Sequence, residues 1–152
     1  MTQIPQHVRA LVSGAVLLSV AWFAVAASAA TVEVRVTGLD PSQRGSVGCW
    51  LFSSPAGFPL ESADARVQWQ PVSAVTAVCR FPDVAPGGHA VSVGHDLNGN
   101  KRVDVDLLGR PNEPWGVSNN VRPTLRAPRF EEALFKVPEG SADVIVEIKA
   151  AR

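Results

Sequence analysis

"TVEVRVTG", Thr31 to Gly38, decides the fold class. Val32, Val34 and Val36 fall on one face of an extended chain, and Glu33 and Arg35 on the other. That period of two is the pattern of a half-buried antiparallel strand. It recurs down the chain between Gly, Pro and Asp punctuation. "GSVGCWLFS", Gly45 to Ser53, gives a second strand, reached through the turn residues Asp40, Pro41 and Gly45. "RVQWQPV" and "AVTAVCRF" give two more, and His89, Val91, Val93 and His95 share one face of a fifth. "ALFKV" and "ADVIVEIKA", joined by a "PEGS" turn at Pro138 to Ser141, close the chain. About seven strands, with no amphipathic helix and no internal repeat, predict an all-β, seven-stranded antiparallel sandwich.

Residues 1–29 read as a targeting segment. A short polar start with His7 and Arg9 precedes an apolar run from Ala10 to Val25, and small residues at Ala27 and Ala29 satisfy the A-x-A rule. This is the pattern of a secretory signal peptide, cleaved near Ala29 or Ala30, and it predicts a periplasmic or secreted protein. An uncleaved anchor is the alternative, because the run approaches the length that spans a bilayer. Residues 30–152 then form a single domain, since about 120 residues support one core. The chain has 14 Lys and Arg against 14 Asp and Glu; Arg9 is the only charge in the signal, which leaves 13 basic against 14 acidic side chains. Without a basic excess, nucleic acid is excluded as a partner.

Cys49 and Cys79 both fall in the exported part, where oxidising conditions favour a disulfide. Cys49 shares strand parity with Val47 and Leu51, and Cys79 with Val75, Ala77 and Phe81, so both point to the interior. Two buried free thiols are the other reading, and either role is structural.

The stretch that carries chemistry is "HDLNGNKRVDVD", His95 to Asp106. It opens a long segment, residues 96–130, that lacks regular patterning, and loops of that length in compact domains are functional or disordered. This one holds enough apolar residues, Val103 to Leu125, to pack as an ordered loop. Counted from Asp96, oxygen donors stand at positions 1, 3, 5 and 9 as Asp96, Asn98, Asn100 and Asp104, with the Arg102 carbonyl at position 7. This is the spacing of a D-x-N-x-N calcium loop. Lys101 at position 6, where the turn favours Gly, and Leu107 at position 12, where a bidentate carboxylate belongs, weaken it; Asp106 or the distant Glu113 would have to substitute. The expectation is millimolar affinity for calcium, set against a turn whose polar groups bond only to its own backbone.

Other chemistry is thinner. His89 and His95 are roughly 20 Å apart in an extended strand and cannot share an ion. His95 and Asp96 point to opposite faces, which disfavours a dyad and leaves His95 a local hydrogen bond at the strand end. Ser118 in "GVSNN" lacks the second Gly and the strand-turn-helix setting of a nucleophile elbow and reads as a chance serine. No catalytic constellation emerges, so a non-enzymatic role is expected. Trp115, framed by Pro114 and Gly116, could stack on a glycan or an envelope protein, with Arg110 and Arg122 meeting anionic groups; the alternative is that Trp115 plugs the open end of the sandwich. Trp50 and Trp69 read as core or sheet-face residues.

"FPDVAPGGHAVSVGHDLNGNKRVDVDLLGRPNEPWGVSNN", followed by "APRFEEALFKV", resembles the uncharacterised bacterial secreted family known as domain of unknown function 2141. In that family an F-x-x-(L/V)-x-x-G-x-(Y/H)-A-(V/I) strand leads into H-D-x-N-x-N-G-x-x-D. The resemblance extends through "VEVRVTGL" and "LFSSPAGFP". Lys101 departs from the family's usual Gly, and "NEPWG" from its usual acidic-Gly-aromatic-Gly run. The resemblance implies a transthyretin-like (Ig-like) sandwich and no established activity. The transthyretin-like 5-hydroxyisourate hydrolases carry a Tyr-Arg-Gly-Ser tail, whereas this chain contains no Tyr.

Overall fold

The computed structural model describes residues 30–61, 63–140 and 143–152; the signal segment 1–29 lies outside them. Among the described residues no helix is long and apolar enough to cross a membrane. Eight strands form, β1 (Ala30–Thr37), β2 (Ser46–Phe52), β3 (Ala65–Pro71), β4 (Thr76–Val84), β5 (Gly87–Asp96), β6 (Trp115–Val117), β7 (Phe135–Val137) and β8 (Val144–Lys149). A 3₁₀ turn at Ser118–Asn120 and a one-turn helix, α1 (Phe130–Ala133), interrupt them.

The strands make two sheets, one ordered β4-β1-β8 and the other β3-β2-β5-β6, with β7 also on β5. The valines of "TVEVRVTG" are fully buried as their period predicts, and they meet Val47, Leu51, Val91 and Val93 from the facing sheet. Each buried valine contributes roughly 1.5 to 3 kcal/mol relative to an exposed one. Cys49 and Cys79 are bonded across the two sheets, with 6.5 Å between their Cα atoms and a sequence separation of 30. Closing a chain of that length stabilises by about 3 to 4 kcal/mol on the loop-entropy account.

Four expectations need correction. The strands number eight rather than seven, because the segment 96–130 contributes β6. The sheets are not wholly antiparallel, since β8 runs parallel to β1 from Val32↔Val144 to Thr37↔Lys149. The last two strands do not pair with each other: β7 lies on β5 and β8 on β1, so the connection between them crosses from one sheet to the other. Val75 is exposed, because the ladder of β4 begins at Thr76 and parity fixes a side chain only where a ladder holds the chain flat.

β5 organises the rest. One edge pairs with β2 from Ala90 to Asp96, and the other is shared by two short strands, β7 opposite Gly87–His89 and β6 opposite Ser92–Gly94. Between those strands Val91 would be left without a partner. Ser118 fills the gap: its hydroxyl accepts from the Val91 N–H at 3.0 Å and donates to the Ala133 carbonyl at 2.5 Å. Asn119 donates to the carbonyls of Glu132 and Leu134, and Asn120 bonds Glu147 and Lys149 on the open edge of β8. Ser118 is fully buried. "SNN" is thus a clamp between β5, α1 and β8, and the serine read as incidental has a definite structural task.

Candidate functional site

β5 delivers Asp96 to the rim of the sheet with its side chain on the outer face, opposite Ser46 of β2. Asp96 is 1% exposed. Its carboxylate accepts the N–H groups of Gly99 at 2.7 Å, Asn100 at 3.2 Å and Lys101 at 2.9 Å, which winds the chain tightly around it. The winding continues with side chains two residues apart. Asn98 Oδ1 accepts the Asn100 N–H and Asn100 Oδ1 accepts the Arg102 N–H. Both amides donate their Nδ2 to Asp104, Asn98 at 2.6 Å and Asn100 at 2.9 Å. Lys101 takes φ 62°, the left-handed conformation that glycine would adopt freely, so the backbone absorbs the unusual residue at position 6.

Glu113 closes the loop from its far end. It is 5% exposed, and its carboxylate accepts the Leu97 N–H at 2.8 Å and the Asp104 N–H at 3.1 Å. Asp96 and Glu113 therefore bracket the loop, while its ends are held together by the ladder of β6 on β5 and by the His95 N–H donating to the Pro114 carbonyl.

Asp106 belongs elsewhere. It accepts from the N–H groups of Leu108 and Arg110 and from the Arg110 guanidinium, forming a separate turn over residues 106–110. The Arg110 N–H, followed by its guanidinium, holds the Asp106 carboxyl below the usual range. Of the oxygen donors singled out in the sequence, Asp96, Asn98, Asn100 and Asp104 are brought together, Asp106 is not, and Glu113 joins them. Among the described residues no three carboxylate, imidazole or thiolate groups converge as a metal cluster, so a cation here would depend on the two asparagines.

Trp115 sits in β6, half-buried, with its backbone paired to Gly94 and Ala151. The Arg122 guanidinium lies 4.4 Å from the centre of the Trp115 ring and donates to the carbonyls of Trp115 and Ala151. Burial pulls the Arg122 pKa below its ordinary value. Arg110 is tied to Asp106 and does not join this pair.

The histidines part company. His89 is buried between the Ser53 hydroxyl, 3.2 Å from Nδ1, and the Ala85 carbonyl, 2.9 Å from Nε2. His95 is equally buried, but its Nε2 has no hydrogen-bond partner among the described residues, so the local bond expected at the strand end is not formed there.

No curated protein and no solved structure matches the chain. Residues 34–145, spanning β1 to β8, match the family described as "Uncharacterized protein conserved in bacteria (DUF2141)", and the chain belongs to that family.

Proposed function

We propose that the chain is an exported, non-enzymatic module with a transthyretin-like (Ig-like) sandwich, whose Asp96 loop takes a calcium ion weakly and is stiffened by it. The targeting pattern of residues 1–29 and the bonded cysteines support export. One observation carries the calcium reading: the Glu113 carboxylate is buried against positions 2 and 9 of the loop, where it can supply the charge missing at Leu107. The left-handed Lys101 removes the other objection.

The hydrogen bonds also explain why affinity would be low. Asn98 and Asn100 present their amide nitrogens to Asp104, and each is held that way by an N–H bonded to its oxygen. An ion must turn both amides and displace both bonds, so binding competes with a turn that is already satisfied.

The alternative, a glycan- or envelope-protein-binding module using Trp115, Arg110 and Arg122, is less well supported. The guanidinium over the Trp115 ring occupies a stacking face, and Arg110 is engaged by Asp106.

Thermal melting in chelator and in calcium tests the proposal. A ligand that binds only the folded state raises the midpoint by mass action, so about 10 mM calcium should raise it for the parent and not for Asp96→Ala. No calcium-dependent rise in the parent, or an equal rise in the variant, would remove the ion from this loop.

A further inference from the structure

The strand register leaves a trough on the outer face of the larger sheet. Trp69 of β3, Gly48 of β2 and Gly94 of β5 lie in one cross-strand row, so two neighbouring positions carry no side chain. The rings of Trp50 and Trp69 fold over Gly48, edge to face with centroids 5.3 Å apart, and a Cβ on Gly48 would collide with both. Trp50, 6% exposed, then lines a groove of about 200 Å³. Leu60, from the connection between β2 and β3, lines it too, and Val103 and Val105 come to it from the segment after β5. Leu60 and Val105 are exposed, so the groove offers apolar surface to solvent.

The charges lining this groove have one sign. Lys101 and Arg102 are the charged residues in its lining, both are exposed, and among the described residues neither makes an ion pair. Lys101 is held from two sides, its N–H by Asp96 and its ammonium 4.4 Å from the Trp69 ring centre. The acidic residues nearby in sequence are placed elsewhere. Asp104 accepts the side-chain amides of Asn98 and Asn100, Glu61 sets its Cβ beside Gly57 in the turn 57–61, and neither lines the groove.

We propose that this groove binds a small amphipathic carboxylate, with its hydrocarbon body on Trp50, Leu60, Val103 and Val105 and its carboxylate at Lys101 and Arg102. An exposed ion pair alone stabilises little, and the apolar contact beside it adds the burial that makes the pairing count. A neutral hydrocarbon would leave both cations unmatched, and an organic cation would meet two like charges. The volume lies below the roughly 300 to 1,000 Å³ of sites for drug-sized ligands, which suits a free acid of about eight carbons. The site shares Lys101 with the Asp96 loop and needs no cation in that loop.

Octanoate is the probe, followed by NMR of the tryptophan indole N–H groups in the purified protein. Titration to about 20 mM should move the Trp50 and Trp69 signals saturably, with a dissociation constant of about 1 mM, and leave Trp115 in place. Octan-1-ol should bind at least tenfold more weakly, and octylammonium not at all. Lys101→Gly with Arg102→Gln removes both charges while glycine accepts the left-handed backbone of position 101, so octanoate binding should fall at least tenfold with the circular dichroism unchanged. Val105→Glu, which sets a carboxylate in the groove, should abolish it. Phosphatidylglycerol vesicles should leave both indole signals unmoved, since the guest is a free acid. The absence of a saturable shift at Trp50 and Trp69, equal affinity for the alcohol or the ammonium, undiminished binding in the double variant, or vesicles acting in place of octanoate would each overturn the proposal.

Discussion

Gln68 of β3 binds both backbone groups of Arg80 of β4: its Oε1 accepts the Arg80 N–H at 2.9 Å, and its Nε2 donates to the Arg80 carbonyl. β3 and β4 belong to different sheets, so a side-chain amide serves where a strand would otherwise pair. An uncovered edge of this kind recruits other chains. Asn120 does the same on the opposite edge, bonding Glu147 and Lys149 of β8.

Gln68→Ala should therefore have two effects. Stability should fall by about 1 kcal/mol for the lost bonds. Aggregation should increase more than that loss explains, because the Arg80 edge is freed. Urea unfolding and static light scattering of the same sample separate the two.

Asp96→Ala should destabilise by about 2 to 4 kcal/mol, since three backbone N–H groups lose one buried acceptor. Asp106→Ala should cost far less, because its turn is solvated and separate. Amide exchange should then show Gly99 to Lys101 deprotected in the first variant and unaffected in the second.

Ser118→Ala tests the clamp. The Val91 N–H would be orphaned within a sheet, at a cost of about 1 to 3 kcal/mol. Equilibrium unfolding measures it, and a change below a few tenths of a kcal/mol would mean that the backbone rearranges to cover Val91 without the hydroxyl.

Glu132 offers a pH test. Its hydrogen bonds to the Arg126 guanidinium and then to the Arg129 N–H lower its pKa from 4.5 to about 2. A carboxyl with a depressed folded-state pKa stabilises the fold above its unfolded value and loses that contribution as pH falls through the folded one. The contribution therefore fades between pH 4.5 and about 2. Carboxyl NMR should place the Glu132 midpoint near that lower value, and Arg126→Ala should move it back toward 4.5. In Glu132→Gln the stability profile should be flatter across this window.

The sequence made the long strands legible because burial on one face leaves a period of two, as Val32, Val34 and Val36 show. It also placed both cysteines inside, since parity follows from the same geometry. The parallel pairing of β1 with β8 left no local trace, because register between distant strands depends on which edges remain free once the nearer ones have paired. β6, three residues long, is too short to display a period and goes unread in the sequence, whereas the equally short β7 is legible in "ALFKV". At the candidate site the alternating donors were readable from spacing, whereas the recruitment of Glu113 depends on β6 returning to β5 and bringing the chain back beside Leu97. Asp106 was misleading for a related reason: its nearest donors, Leu108 and Arg110, follow it in sequence and captured it first.

The bracketing of residues 97–112 by Asp96 and Glu113 has a bearing on how this domain can diversify. Both ends of the segment are anchored in the sheet, and Gly94 leaves a notch that Val103 occupies, where an added Cβ would come within 2.3 Å of that side chain. Residues 97–104 are committed to the two carboxylates and to that notch, whereas the turn at 106–110 bonds within itself and can be exchanged like a cassette. Replacement tips of different length and chemistry should graft there and leave the scaffold beneath unaltered.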